Sequence, residues 1–355
     1  MLGILHLYPA RCDFQTMRSV ELLSTNQTNG VSVTARSIGP SGDFTNMPQA
    51  IIALRSSSRP RAGIAHAWGA TELIAAAASG FGRIIFSPQA PVSGAWLPWI
   101  NFVLHRRRVE IVCPTSALRN AFVNRGASAD RCHVIFPGVD FDRLREPDAQ
   151  LRADLGIADS DVVLLAPGES SREAAHRQSI WATAILNFLD ARYRMLIWGR
   201  GTCAESLSHF TRSTRKENLL VHAENRLGKT VDFEQIIPAA NAAIVAAHAF
   251  APMLPVFDCM AAGLPIVAVK TSASAEFLED NVTALMEPGD NPRRLAQRVL
   301  DLPQDEALRS KMIRAAQAAS RERFSATQFI ANWQDVYRRL AASEDSCSVA
   351  RACAS

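Results

Sequence analysis

The chain has 355 residues, of which 48% are apolar and 20% are charged. This balance excludes a disordered chain, a fibrous protein and a small disulfide-stabilised fold, and the length predicts two domains. The seven cysteines are scattered without a C-x-x-C pair, which argues against a disulfide framework and a zinc site. Residues 1–150 hold 15 basic and 10 acidic side chains, so the first part of the chain carries a net positive charge.

Short β-rich runs alternate with helical patterns along almost the whole sequence. Strands are predicted in the first part over Gly3–Tyr8, Val31–Ser37, Ile64–Ala67, Arg83–Ser87, Val109–Pro114 and His133–Pro137. A second series is predicted over Val162–Ala166, Arg194–Trp198, Leu219–His222, Ala242–Ala246, Pro265–Ala268 and Thr283–Met286. Continuous apolar strands separated by helices predict an α/β protein with two doubly wound parallel sheets, each covered on both faces.

A polar stretch at Phe141–Asp159 interrupts this alternation and predicts the inter-domain linker. We therefore predict a first domain over residues 1–150 and a second over 151–323, followed by a long helix at 324–340. The small, polar residues 341–355 are expected to form a disordered tail. Ligands of open parallel sheets bind beyond the carboxyl ends of the strands, so the loops that follow the strands are the places to search for chemistry.

Two apolar segments raise the question of a membrane. Ile236–Phe257 contains no charged side chain, but its three prolines favour a buried strand with flanking loops over a membrane span. Trp96–Leu104 is too short to span a bilayer and is followed by the basic run His105–Arg108. The alternatives there are a helix on a core with a solvated basic end, or peripheral attachment to anionic lipid. Because no signal peptide is recognisable, we expect a cytoplasmic protein, with peripheral contact at the inner face of the membrane as the variant.

A glycine turn follows the predicted strand Arg194–Trp198. Gly199, Arg200 and Gly201 begin a G-x-G-x-x-A pattern that precedes a helical stretch, as in a dinucleotide-binding fingerprint. That fingerprint also needs a carboxylate at a strand end about twenty residues later, and Glu224 comes slightly late. The alternative is a tight strand-to-helix turn whose backbone N–H groups face a phosphate.

The most informative segment runs from Asp258 to Ala268. A helix with an acid near its start ends at Gly263, and Pro265 then opens a buried strand. Together with the residues from Phe250 onwards, this segment resembles the donor signature E-G-F-G-L-P-x-x-E-A-M-A-x-G-x-P-V-V-A. That signature belongs to the retaining glycosyltransferases of the GT-B fold, in particular the glycogen-synthase-like and sucrose-synthase-like group 4.

Further segments resemble the same family in the same order, over roughly residues 3–340. Ile64–Gly69 resembles the histidine strand of the family's first domain. The other segments are Pro114–Asp140, Ala273–Asp290 and Arg323–Ser325. The resemblance implies two Rossmann-like domains facing a cleft, with the closing helix crossing back to the first domain. It also implies that the second domain binds a nucleotide-diphosphate sugar.

The resemblance further implies a set of donor-binding residues in this chain. They are Gly168, Gly199, Arg200, Gly201, His248, Phe250, Met253, Leu254, Asp258 and Glu276. The sequence departs from the signature at its first glutamate, whose place is taken by Phe250 or, with a two-residue insertion, by His248. Asp258 stands at the second glutamate, which binds the ribose. The alternative role of Asp258 is a carboxylate that stabilises a helix N-terminus.

Cations must neutralise the leaving diphosphate during sugar transfer. The family uses an Arg and a Lys in a glycine-led loop, but here Glu169 and Ala174 stand at those positions. Arg172 and Arg177 are the candidate replacements, and solvated charges at a helix end are the alternative. His66 corresponds to a family histidine that approaches the donor sugar; a core imidazole is the alternative.

These observations predict a retaining glycosyltransferase that moves a hexose from a nucleotide-diphosphate sugar to a saccharide or lipid-linked acceptor. A catalytically impaired binding protein with the same fold is the main alternative, and a sugar-nucleotide epimerase is a third. Asp140–Asp142 and Asp159–Asp161 match the metal-binding D-x-D of another glycosyltransferase fold, but we interpret both as solvated turns. We therefore predict no metal, no cofactor besides the sugar nucleotide as co-substrate, and no nucleic-acid partner.

Overall fold

The computed structural model describes residues 2–26, 31–56, 63–92, 94–146, 149–213, 217–302 and 306–352. Contacts divide the chain into two units. The first unit contains Met1–Gly138 and Ala326–Ser355, and the second contains Val139–Ser325.

The first unit is built on a parallel six-stranded sheet with strand order β2-β1-β3-β4-β5-β6. Its strands are β1 (Leu2–Pro9), β2 (Val31–Ile38), β3 (Ile64–Ala67), β4 (Arg83–Phe86), β5 (Val109–Cys113) and β6 (Cys132–Val134). Its helices are α1 (Phe14–Thr25), α2 (Met47–Ser56), α3 (Ala70–Ser79), α4 (Leu97–Arg106) and α5 (Ser116–Val123).

The second unit has a parallel six-stranded sheet of order β12-β11-β10-β7-β8-β9. Its strands are β7 (Val162–Ala166), β8 (Tyr193–Ile197), β9 (Leu220–His222), β10 (Ala242–Val245), β11 (Ile266–Val269) and β12 (Leu285–Glu287). Its helices are α6 (Ala149–Asp154), α7 (His176–Leu189), α8 (Ala204–Ser213), α9 (Ala223–Leu227), α10 (Leu254–Ala261), α11 (Pro292–Asp301) and α12 (Glu306–Arg323). The last helix of the chain, α13 (Ala326–Ala352), belongs to the first unit.

All twelve predicted strands are present, and the predicted α/β class with two parallel sheets is confirmed. Every residue of β3, β10 and β11 is buried, as expected for strands with helices on both faces. β7 pairs with β8 on one side and with β10 on the other, so the strand order reverses between β7 and β10. The crevice beyond the carboxyl ends of these two strands is where such a sheet binds ligands.

The units divide between Gly138 and Val139, twelve residues before the boundary predicted at residue 150. The segment predicted as a linker is a 3-10 turn at Phe141–Arg143 and the short helix α6, both within the second unit. Arg152 of α6 donates hydrogen bonds to the carbonyl oxygens of Ala239 and Asp161, at 2.9 Å and 2.7 Å. These bonds attach the polar segment to the second sheet.

The closing helix α13 continues to Ala352 and so includes most of the segment 341–355 that was expected to be disordered. No Gly or Pro interrupts the sequence after Ala326, which allows the helical backbone to continue. Its first turns bury Phe329, Trp333 and Tyr337 in the core of the first unit, at the spacing of one helix face.

The uncharged segment Ile236–Phe257 forms a 3-10 turn, strand β10, a loop and the start of α10, as predicted for a buried strand with its loops. Among the helices of the described residues, none combines the length and the apolar character needed to cross a bilayer.

Candidate donor site

The loop after β7 lies against the first turn of α10. Gly168 in this loop has a φ of +81°, and a Cβ atom built on it would come within 2.8 Å of Cγ of Pro255. Only a glycine therefore fits the close approach and the left-handed backbone together. This contact brings the segment after β7 to the N-terminus of α10, where the helix dipole favours an anion.

The same loop is held from behind by His176, the first residue of α7. The Ser170 hydroxyl donates to Nδ1 of His176 over 3.0 Å, and Nε2 of His176 donates to the Pro167 carbonyl oxygen over 3.0 Å. Burial lowers the pKa of His176 to about 4, so the imidazole is neutral at pH 7. Because Nε2 faces a carbonyl oxygen, it must carry the proton, which fixes the tautomer.

The glycine turn after β8 is joined to this loop by backbone hydrogen bonds. Ser170 N–H donates to the Arg200 carbonyl oxygen over 2.7 Å, and Cys203 N–H donates to the Ser170 carbonyl oxygen over 2.8 Å. A Cβ atom at Gly201, whose φ is +108°, would lie 2.4 Å from the Ser170 carbonyl oxygen. The approach of two backbones thus requires glycine here, as the sequence pattern predicts.

Arg200 and Glu224 form an ion pair beside the turn. Nε of Arg200 lies 2.8 Å from Oε1 of Glu224, and the Arg200 guanidinium lies over the Trp198 ring at 4.6 Å from its centroid. The same Glu224 oxygen accepts a hydrogen bond from Val231 N–H at 3.2 Å. The carboxylate considered for a dinucleotide ribose is thus engaged in joining the turn to α9, which favours the phosphate-facing turn over the dinucleotide fingerprint.

The loop after β10 completes the crevice. His248 N–H donates to the Glu173 carbonyl oxygen over 2.8 Å, which links this loop to the one after β7. His248 is exposed and Phe250 is half-buried, whereas Met253 and Leu254 are buried where α10 begins. Asp258 lies on α10 and is only 2% exposed.

The three arginines considered for a diphosphate have different surroundings. Arg172 lies in the exposed turn between Gly168 and α7, and within the described part of the chain it has no hydrogen-bond or ion-pair partner. The Arg177 guanidinium lies over the Phe210 ring at 4.7 Å from its centroid. Arg200 is paired as described above. Arg172 is therefore the arginine whose charge is most available to an anion.

Glu276 and the D-x-D aspartates are engaged in local structure. Glu276 ends a 3-10 turn after β11, at the same sheet edge, and its carbonyl oxygen accepts from Arg323 at 2.9 Å. Asp140 caps a turn by accepting from Asp142 N–H at 3.1 Å and pairs with Arg143. Asp161 accepts from Ala158 N–H at 2.9 Å.

His66, the remaining predicted site residue, lies in the core of the first unit. Its Nδ1 is 2.8 Å from the Tyr337 hydroxyl and its Nε2 is 2.8 Å from the Ser87 hydroxyl. The ring lies 4.3 Å from the Trp68 ring and 4.4 Å from the Trp333 ring, centroid to centroid. Burial, with a smaller contribution from His6, holds the pKa of His66 well below its ordinary value. This packing favours the core-imidazole alternative.

Sequence reasoning did not single out Ser170, His176 or Glu173 as parts of the crevice. Ser170 and His176 lie six positions apart and meet only because the loop folds back on the start of α7. Glu173 contributes a backbone carbonyl oxygen, which no residue pattern marks. The only signal was their position in the loop that follows a predicted strand.

Taken together, the crevice combines two glycine turns, the N-terminus of α10 and an exposed arginine at the carboxyl edge of the second sheet. Closely approaching backbone and a helix N-terminus suit a phosphate-bearing ligand. Phe250, half-buried on the loop after β10, adds apolar surface beside these groups.

Comparisons with known proteins agree with this geometry. Residues 148–319 match the family described as Glycosyl transferases group 1. The D-inositol 3-phosphate glycosyltransferase of Xylanimonas cellulosilytica is 28% identical over 225 residues, which cover 60% of this chain and 52% of that protein. The chain thus spans about half the length of the curated relative it matches.

Solved structures share the fold over nearly the whole chain. HepE of Anabaena, in complex with UDP and glucose, is similar with a TM-score of 0.77 at 17% identity, covering 95% of this chain and 99% of that one. Sucrose-phosphate synthase of Thermosynechococcus elongatus is similar with a TM-score of 0.76 at 14% identity, covering 97% and 100%. The chain therefore has the GT-B fold, and its residues 148–319 match the family described as Glycosyl transferases group 1.

Proposed function

We propose that the protein is a glycosyltransferase that moves a hexose from a nucleotide-diphosphate sugar to a saccharide or lipid-linked acceptor, with retention and without a metal. The observation that carries the proposal is the junction of the two glycine turns with the start of α10, where Gly168 meets Pro255 and Gly201 meets Ser170. This junction lies at the point where strand order reverses, within the residues that match the family.

In the proposed complex, the diphosphate lies between the Gly168 loop and the N-terminus of α10. The helix dipole and backbone N–H groups at this edge stabilise the negative charge that grows on the diphosphate as the glycosidic bond breaks. Arg172 supplies the cation, because its side chain is exposed at the same loop. A guanidinium suits two phosphate oxygens at once.

Asp258 and His248 are proposed to bind different parts of the sugar-nucleotide donor. Asp258 is the carboxylate for the ribose hydroxyls, since it lies on α10 one turn beyond the phosphate position. His248 is exposed on the loop after β10, where it reaches toward the sugar in place of the family's first glutamate. UDP is the proposed nucleotide, because the similar HepE structure holds UDP.

The test measures binding and turnover separately on the full chain. Thermal unfolding is followed with UDP, GDP, UDP-glucose and inorganic phosphate, and release of UDP from UDP-glucose is then assayed with and without EDTA. We expect a rise in melting temperature with UDP and UDP-glucose, UDP release that EDTA does not affect, and α-glucose as the first-formed product of transfer to water by NMR.

Other outcomes distinguish the alternatives. Stabilisation by UDP-glucose without any UDP release or transfer would favour the impaired binding protein. Release that EDTA abolishes would contradict metal independence, and β-glucose as the first-formed anomer would contradict retention. If no nucleotide or sugar nucleotide stabilises the chain, the proposed donor site is wrong.

A further inference from the structure

Helix α4 of the first unit presents large aromatic side chains to solvent. Trp99 is 60% exposed and Phe102 is 57% exposed. The two residues are three positions apart and lie on one face of the helix. The other face is buried through Ile100 and Val103. The core therefore already takes up one stripe of α4, and the aromatic stripe is additional.

The end of α4 is strongly basic. The Arg106 guanidinium lies over the Phe102 ring at 5.6 Å from its centroid, and Arg107 and Arg108 follow, both exposed. The sequence between Glu72 and Glu110 contains no aspartate or glutamate, so this stretch of chain supplies no acid to balance the arginines. We call Trp99, Phe102 and Arg106–Arg108 the α4 surface.

A second exposed apolar surface lies on α7 of the second unit, and its charges differ from those of the α4 surface. Phe188 is 82% exposed and Leu189 is 66% exposed. The charges next to them are balanced, because Asp190 pairs with Arg192 at 2.7 Å. The α4 surface differs from Phe188 and Leu189, because its exposed aromatic rings lie beside arginines and its own stretch of sequence supplies no acid.

A cavity beside α4 is also lined by both apolar and basic side chains. Its volume is ≈ 150 Å³, and apolar side chains of Ile100, Leu104 and Phe122 line it together with Arg125 and Arg131. Arg125 donates to the Val92 carbonyl oxygen over 2.8 Å, which holds its guanidinium at the rim of the cavity. Two further arginines therefore line a cavity beside α4.

We propose that the α4 surface docks the protein onto a bilayer that contains anionic phospholipid. Aromatic rings are favoured at the level of the headgroups, and arginines near the surface are attracted to lipid phosphates. A helix that presents aromatic side chains beside basic ones lies in the plane of such an interface. The unbalanced charge favours an anionic lipid surface over a second copy of the chain, whose matching face would carry the same positive charge.

The experiment is co-sedimentation of the full chain with vesicles. One set of vesicles is phosphatidylcholine alone and the other is phosphatidylcholine mixed with phosphatidylglycerol. We expect binding to the anionic vesicles only, weakened by added salt because the charges are at the surface. The double variant Trp99→Ala/Phe102→Ala should weaken binding at least about tenfold. Arg106→Gln and Arg108→Gln should each weaken it about fivefold.

The matched control is Phe188→Ala/Leu189→Ala, which removes exposed apolar area from α7 and should leave vesicle binding unchanged. All these side chains are exposed, so melting temperatures within a few degrees of the parent confirm folding. Equal binding to neutral and anionic vesicles, no binding to either, or equal loss in the α7 control would overturn the proposal. It would also be overturned if the α4 variants changed self-association in gel filtration rather than vesicle binding. None of these readouts depends on glycosyl transfer.

Discussion

His66 and Gly168 both lie near the carboxyl end of a central strand, one in each unit, yet their surroundings are opposite. His66 is enclosed by Trp68 and Trp333 and hydrogen-bonded through both ring nitrogens. Gly168 has no side chain, and its loop approaches Pro255 at the start of α10. The first edge is closed by aromatic packing, whereas at the second edge glycine turns bring two loops to the start of α10.

The difference shows that a shared sheet topology does not fix where chemistry occurs. In the first unit, polar side chains near the strand ends pair with one another, with Trp68 Nε1–H donating to His6 Nδ1 at 3.0 Å and His66 bonded to Tyr337 of α13; within the described residues, Nε2 of His6 stays buried without a partner. In the second unit, the corresponding loops satisfy each other through backbone bonds at Ser170 and Arg200. The following predictions test whether these two edges differ as described.

The largest effect is expected from Gly201→Ala. The new Cβ atom would lie 2.4 Å from the Ser170 carbonyl oxygen, at a φ of +108°. We expect the free energy of unfolding of the second unit to fall by about 3 kcal/mol, because the two loops must separate. The stabilisation by UDP should be lost with it.

Urea denaturation measures this change, with Gly228→Ala as the matched control. Gly228 also has a positive φ, +64°, but nothing lies within 4 Å of its Cβ position. We expect the control to cost only about 1 kcal/mol. Equal losses in both variants would show that the contact between the two turns contributes nothing.

Arg172→Ala should reduce kcat/KM for sugar transfer about 100-fold, as expected when one group that stabilises a leaving anion is removed. The melting temperature should not change, because the side chain is exposed. Arg177→Ala is the comparison, since its guanidinium lies on the Phe210 ring. Steady-state kinetics of both variants show which arginine stabilises the leaving diphosphate. A larger loss of kcat/KM in Arg177→Ala than in Arg172→Ala would assign that role to Arg177.

Acid should destabilise the first unit through its buried histidines. Burial lowers the pKa of His6 to about 3, whereas the unfolded chain binds a proton at its ordinary value of 6.5. Below pH 6.5 the unfolded state therefore takes up a proton that the folded state does not. The stability contributed by neutral His6 is complete above pH 6.5 and falls by about 1.4 kcal/mol per pH unit towards pH 3.

Unfolding in urea at pH 7.5 and pH 5 measures this dependence. His6→Gln cannot be protonated, so its stability should change less between the two pH values than that of the parent protein. His105→Gln is the control, because it makes the same substitution at an exposed position of the same unit. Because burial also raises the pKa of Glu72 to about 7 and so opposes the histidine effect, the comparison of variants decides: a stability change in His6→Gln equal to that of the parent would contradict the enclosed histidine cluster.

The smallest effect is expected from Asp258→Asn. Loss of the charged acceptor for the ribose hydroxyls should raise the Kd for UDP about tenfold, the size of one hydrogen bond to a charged group. Asp159→Asn, which changes an exposed carboxylate of the same unit, should leave the Kd unchanged. Isothermal titration with UDP compares the two; an unchanged Kd in Asp258→Asn would show that Asp258 does not bind the ribose.

The sequence located all twelve strands, because β-branched and apolar runs separated by helical patterns predict a parallel sheet directly. Helix α12 was not predicted. Its buried face consists of Met312, Ala316 and Ser320, and such small side chains leave little hydrophobic periodicity. Ser320 nevertheless lies close enough to α10 to donate to the Phe257 carbonyl oxygen at 3.5 Å.

For the candidate site, the sequence by itself determined the glycines, since Gly168 and Gly201 stand at positions where backbone approach and positive φ exclude other residues. Only the tertiary structure decided which charges are available. Arg200 is paired with Glu224 and His66 is enclosed in the first unit's core, whereas Arg172 stays exposed. The physical reason is that a residue's charge and conformational freedom are local properties, while its partners and burial depend on segments far away in the chain.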